Sequence, residues 1–209
     1  MLADTLRTRI LDGTLAPGEP LRQEELSSHH DVSRHTLRTA LATLTAERLV
    51  VAEPYRGARV ADLDDAALVA LQQLRCALET EAVRLLHDAH GAAWPAAVLA
   101  DVDRALDALE AAEHAGDWPG TARAHAGVHR ALVDAAGSPR ISEVCAGLDA
   151  ELLLLLRGVR PHYGPGALAA EHRAYVDALR SGRVEAVREH LARSTALILE
   201  GRRQGGPQQ

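Results

Sequence analysis

From Asp65 to Arg203 the sequence is a series of apolar-periodic segments, each closed by glycine or proline. The punctuation falls at Gly91, Gly116, Gly137-Ser138-Pro139, Gly164-Pro165-Gly166 and Gly182. No strand-like alternation intervenes, so this stretch can fold only as helix packed on helix. Helices are expected near 65–90, 94–115, 118–136, 140–160, 167–181 and 184–202, an all-helical bundle of about six. Composition agrees. Hydrophobic residues make up 47% of the 209, but aromatics only 2%, and Phe is absent. The core must be built from Leu, Val and Ala, and Leu and Ala are good helix formers.

Residues 1–62 read differently. Leu2, Leu6 and Ile10 stand four apart and give a first helix one apolar stripe, ended by Gly13. Ala16-Pro17-Gly18-Glu19-Pro20 reads as a turn. A short helix follows from about Gln23 to His30, and Asp31-Val32 breaks it. Ser33 is a suitable N-cap for a second helix whose packed stripe is Leu37, Leu41 and Leu44. Leu49-Val50-Val51-Ala52, a turn at Pro54-Tyr55-Arg56-Gly57, and Ala58-Arg59-Val60 then form a small β-hairpin. The fold class expected is mainly α: an N-terminal winged helix-turn-helix over 1–62, a helical bundle over 63–203, and a disordered tail at 204–209.

Charge is uneven. The net formal charge is −6, yet residues 1–61 carry eight Arg and eight acidic residues and balance to zero. There is no Lys, so all 23 basic residues are Arg. A local basic face, rather than a basic protein, is what double-stranded DNA requires. Arg34 and Arg38 lie one turn apart at the free end of the second helix, beside His35 and Thr36. A guanidinium can fork onto a guanine edge or clamp a phosphate. The Ser33 hydroxyl and the helix N-terminus can hold a backbone phosphate. Arg56 and Gly57 stand at the wing tip, where glycine permits close approach to a groove.

His125 and His129 share one face of a helix, four residues apart, and His172 and His190 fall on two later helices. Bundle interiors can hold a metal between facing helices, and imidazole suits zinc, nickel or copper. Surface or core packing is the alternative for each. Cys76 and Cys145 fit no metal spacing and read as buried free thiols. No run reaches the ~20 apolar residues of a membrane helix. With no signal segment read at the start, a cytoplasmic protein is expected.

Several of these motifs resemble a known family. Ile10 to Leu21, Val32 to Leu41, Leu49-Val50 and Arg56 to Val60 resemble, in order, the opening, recognition-helix and wing motifs of GntR-type regulators. That resemblance implies that Arg34, His35, Thr36, Arg38 and Gly57 line DNA. The family usually has Pro at Thr36, Glu at Thr39 and Gly at Arg48. The second half is similar to the FCD ligand-binding domain of the FadR branch. Leu74 to Glu79, Val128 to Leu132 with Ala136 to Pro139, and Glu171-His172 with Ala178-Leu179 and Gly182 carry that likeness. The resemblance implies a homodimer and a palindromic operator. It also implies a divalent metal held by an Asp and three His beside a pocket for a small carboxylate. Here His125 stands at the Asp position. Ungapped counting places Ser194 at the last His, with His190 one turn earlier. Four His favour zinc or nickel over hard cations. Arg75 is a candidate for the effector carboxylate, or else an ion-pair partner of Glu79 on its own helix. The reading is a ligand-responsive regulator, in this family usually a repressor. The alternatives are a metal-dependent hydrolase on the bundle and an effector-independent DNA-binding protein.

Overall fold

The computed structural model describes residues 1–53, 57–91, 94–156, 163–164 and 166–204. The chain divides into two compact units, Met1–Leu63 and Asp64–Gln209.

In the first unit the elements run α1 (Leu2–Leu11), β1 (Pro20–Leu21), α2 (Gln23–His29), α3 (Arg34–Ala46), β2 (Val50–Glu53) and β3 (Gly57–Val60). Leu6 and Ile10 of α1, Leu37, Leu41 and Leu44 of α3, and Leu49 and Val60 near the wing are buried together as its core. α1 and α2 both pack on α3. The hairpin β2–β3 pairs antiparallel, with Val50 opposite Val60 and Glu53 opposite Gly57. The sheet has a third strand, in the order β1-β3-β2. Pro20 and Leu21, the first of which the sequence reading placed in a turn, pair with Arg59 and Ala58. Proline is tolerated there because β1 is an edge strand, where its missing N–H costs no ladder bond.

Two local devices fix α3. The Ser33 hydroxyl accepts from the Thr36 N–H at 3.0 Å and caps the helix. At the other end Arg48 takes a left-handed φ of +57°. That conformation favours glycine, and its cost to a residue with a side chain is roughly 1–2 kcal/mol. The Gly usual in the resembling family is explained by this backbone.

The second unit contains α4 (Asp65–His90), α5 (Ala96–His114), α6 (Trp118–Ala135), α7 (Pro139–Ala146), α8 (Asp149–Leu156), α9 (Ala167–Arg180) and α10 (Ala186–Gln204). Asp64 caps α4 through the Ala67 N–H. The single helix expected over 140–160 is two. Gly147, a poor helix former, ends α7, and Leu148 turns inward to the core before α8 begins. The bundle therefore has seven helices among the described residues. α10 continues through Gln204, and 205–209 lie outside the described residues. The core is Leu- and Val-based, as composition required, with Leu86, Leu109, Val128, Leu132 and Leu179 fully enclosed. Cys76 and Cys145 are free but only half-buried, because both sit at the margins of their helices' packed faces.

α6 packs against α4, α5, α7 and α8, and α10 packs against α4 and α9. α4, α6, α9 and α10 therefore surround one interior space.

Because Leu44 is fully buried between α3 and the rest of the first unit's core, Leu44→Ala should cost about 2–5 kcal/mol. Urea unfolding of that unit would read this as a lower midpoint at unchanged slope. A midpoint within error of wild type would contradict the packing described.

Candidate functional site

α3 buries Leu37, Ala40, Leu41 and Leu44 and turns its other face outward. Arg34, His35, Thr36 and Arg38 are all exposed on that side. Arg34 is engaged only loosely, in an ion pair 3.3 Å from Glu24 with both side chains at least 80% exposed. Such a pair is worth little in water and exchanges readily for a phosphate. Thr36 does more than face outward, since its N–H and hydroxyl both meet the Ser33 Oγ. Proline at this position would forfeit the backbone donor. Gly57 has φ of +85° and nothing within 4 Å of where a Cβ would stand, so the wing is open at that point. Arg56 lies outside the described residues.

The second site is in the bundle interior. α6 carries His125 and His129, α9 carries His172 and α10 carries His190. All four are buried, and one ring nitrogen from each lies within 4.8 Å of the others. Ser194 is not among them. It sits one turn further along α10, its hydroxyl 3.5 Å from the Gln72 amide. The position on which the sequence left two choices is thus occupied by His190.

The protonation pattern follows from each ring's second nitrogen. His129 Nδ1 donates to Glu79 Oε2 at 2.9 Å, and His172 Nδ1 donates to the Leu168 carbonyl at 2.7 Å. Their Nε2 atoms face each other 3.3 Å apart. A ring that donates through Nδ1 has Nε2 as its ligating atom, so a metal ion between the two could be held by both. His125 Nδ1 is buried and has no hydrogen-bond partner among the described residues. Burial, with the neighbouring imidazoles adding to it, pushes the pKa of His125 and His190 well below the usual histidine value and that of His172 down to about 3. Those rings are neutral, the form that binds metals. Tetrahedral zinc with Zn–N of ~2.0–2.1 Å sets its nitrogens ~3.3–3.4 Å apart, which the His129–His172 pair already matches. The donor set fits one borderline-soft divalent ion.

Glu79 is the group that sequence reasoning did not assign to this site. It appeared there only as a possible partner of Arg75. Its carboxylate is buried and accepts from His129 Nδ1 and, at 3.3 Å, from Tyr175 Oη. Burial alone would raise its pKa, but the adjacent His129 and Arg75 outweigh that and hold it at about 2. A carboxylate behind a ligating imidazole fixes its tautomer and strengthens it as a ligand. The signal was present in α4. Its buried stripe is Leu68, Leu71, Gln72, Arg75, Glu79, Ala82, Val83 and Leu86, so three polar residues interrupt an otherwise apolar face.

Arg75 is one of those three. Its Nη1 donates to Gln72 Oε1 at 2.8 Å, and its Nη2 lies 3.1 Å from Glu79 Oε1. Both readings of Arg75 therefore hold in part: it pairs with Glu79, and it also lines a narrow cavity with Gln72, His125 and Ser194. Its Nη2 makes no hydrogen bond of proper geometry among the described residues.

Comparisons with known proteins place the chain in a family. Residues 1–60 match the bacterial regulatory proteins of the gntR family, and residues 70–196 match the FCD domain. The chain belongs to the FCD family, joined to a gntR-type DNA-binding module. It is 34% identical over 136 residues to the HTH-type transcriptional repressor GlaR of Escherichia coli K12, a match covering 64% of this chain and 60% of that protein. It is 37% identical over 99 residues to the HTH-type transcriptional regulator BphR of Paraburkholderia xenovorans LB400, covering 47% and 40%. The matched stretch thus spans less than two thirds of either relative. A crystal structure of a GntR protein from Rhodococcus sp. RHA1 superposes with a TM-score of 0.77 at 29% identity, over 95% of this chain and 96% of that one. These are regulatory proteins, so a hydrolase on the bundle is set aside.

Removing the orienting carboxylate while keeping its shape gives a direct check. Glu79→Gln should weaken zinc binding by about 10–100-fold in competition with a chromophoric chelator. Unchanged affinity would mean that His129 does not depend on Glu79.

Proposed function

We propose that this protein is a cytoplasmic, ligand-responsive transcription regulator, acting as a repressor. In this reading the first unit binds a palindromic operator as one half of a homodimer. The second unit holds a zinc or nickel ion and senses a small carboxylate. The observation that carries the DNA-binding half is the capped α3, with its Leu stripe buried and Arg34, His35 and Arg38 turned outward. Ser33 and the helix N-terminus would hold a backbone phosphate, Arg34 and Arg38 would reach base edges or phosphates, and Thr36, Arg56 and Gly57 would flank them. Among the described residues no helix is long and apolar enough to cross a membrane.

The sensing half rests on His125, His129, His172 and His190 as ligands. Four neutral imidazoles select zinc, nickel or copper over magnesium or calcium, which prefer oxygen. A bound ion would supply Lewis acidity at this cluster, one member of which, His125, also lines the cavity. The chain's own contribution is to exclude water and to orient His129 through Glu79. It also presents the Arg75 guanidinium to an effector carboxylate, whose two oxygens a guanidinium matches. Effector binding would act by population shift, favouring bundle conformations in which the two DNA-binding units no longer fit their half-sites. Arg75 compensates Glu79 and also lines the cavity, and the second contact is what supports an effector-responsive reading over an effector-independent DNA binder.

The test of the DNA half is a pair of substitutions measured on a duplex selected in vitro from random sequence for tight binding to the wild-type protein. Arg38→Ala should cost about 1–3 kcal/mol of specific binding if it reads a base. Arg38→Lys should not restore it fully, since an ammonium lacks the planar fork. Binding unchanged in Arg38→Ala would remove Arg38 from the interface.

A further inference from the structure

α10 carries more than a ligand. His190, Ser194, Ile198 and Arg202 follow one another at four-residue spacing and form one stripe along it, ~18 Å from end to end at the rise of an α-helix. His190 joins the imidazole cluster. Ser194 Oγ accepts from the Gln72 amide of α4 at 3.5 Å. Ile198 is 2% exposed and lines a cavity with Gln72 and Arg75 of α4. Arg202 Nη1 lies 3.1 Å from Asp65 Oδ1. Asp65 is the first residue of α4, and the second compact unit begins at Asp64. The stripe thus runs from the cluster to the turn at which the chain leaves the DNA-binding unit. Ile198 supplies most of its hold on α4, since the exposed Arg202–Asp65 pair is worth little by itself.

The ligands are not held equally. His129 and His172 each have an Nδ1 hydrogen bond, to Glu79 and to the Leu168 carbonyl, that fixes the ring without an ion. His190 Nδ1 stands 3.7 Å from Glu171 Oε1, beyond hydrogen-bond reach, and its ring rests by stacking on Tyr175, centroids 4.3 Å apart. A coordinate bond to His190 would be a stronger tie than either, so filling the site tightens α10 against α6 and α9. We infer that the divalent ion is itself a signal this protein reads: occupancy of the cluster, passed along α10 to the first turn of α4, sets the affinity of the DNA-binding unit for its operator. This rests on the reading of the four histidines as ligands and of α3 as the DNA-contacting helix, and it makes the ion an effector in its own right. A second path joins the same stripe to the cluster from behind. Ser194 contacts Gln72, Gln72 accepts from Arg75, Arg75 pairs with Glu79, and Glu79 orients His129. Contiguous contacts of this kind can carry coupling between distant sites. Four imidazoles also suit a signal, because they take zinc, nickel or copper and leave magnesium in solution.

The test uses the full-length protein, stripped of metal and titrated with zinc alone, with no organic acid present. Calorimetry follows uptake, fluorescence anisotropy follows affinity for the duplex selected in vitro, and amide hydrogen exchange locates what is tightened. Zinc should bind and should change duplex affinity by at least about 5-fold, the lower end of allosteric couplings. Magnesium should do neither. Slowed exchange should extend from the cluster through residues 194–202 and into residues 65–72. His190→Ala, saturated with zinc through the remaining ligands, should show no change in duplex affinity and no slowing over 65–72. Zinc uptake by wild type with duplex affinity unchanged, or with slowing confined to the turns that bear the four histidines, would overturn the inference and leave the metal-site reading standing. A full zinc response in His190→Ala would overturn the route through α10. No zinc uptake would overturn both readings. The wild-type exchange map decides the matter even if His190→Ala does not fold.

Discussion

The bundle is organised around one buried carboxylate. Glu79 has no water to solvate it, and an uncompensated charge at that depth would not persist. Its compensation comes from two directions. Arg75, one turn earlier on α4, lies 3.1 Å away, and His129 on α6 donates to it at 2.9 Å. Tyr175 on α9 adds a third contact. A single side chain thus links three helices and touches both His129 of the imidazole cluster and Arg75 of the cavity wall. Moving Glu79 would disturb His129's tautomer and Arg75's position together. That shared partner is a physical route by which a ligand on Arg75 and an ion on His129 can influence each other.

The four imidazoles make sense only in that setting. His125, His172 and His190 are neutral because burial, with the neighbouring imidazoles adding to it, disfavours their protonation. Replacing an acidic ligand with His125 removes the one anionic oxygen donor the family pattern supplies. It leaves a softer, uncharged site. The charge then resides outside the ligand set, on Glu79. Leu152, Leu155 and Leu156 of α8 line the cavity together with Ile198 of α10.

Much of this was legible in the sequence. The Leu37, Leu41 and Leu44 stripe and the Ser33 cap fixed α3 and its exposed face, because helical periodicity and capping are local properties. The His125–His129 pair was readable for the same reason. What could not be read is what depends on long-range packing. Whether His190 or Ser194 faces the cluster is decided by how α10 rotates against α9, and no local rule specifies that. The role of Glu79 needed the fifty-residue separation to His129 to be closed. The strand at Pro20-Leu21 was hidden because two residues with a proline carry no alternation, and only their partner, β3, makes them a strand.

The central claim is that the four histidines hold a metal ion, and it is tested most directly by metal analysis of protein purified without an affinity tag. Wild type should carry about one zinc, nickel or copper per chain, and His129→Ala should lose it while remaining folded. Folded wild-type protein that carries no metal, and gains none when offered zinc or nickel, would contradict the account. The convergent imidazoles would then be core packing alone.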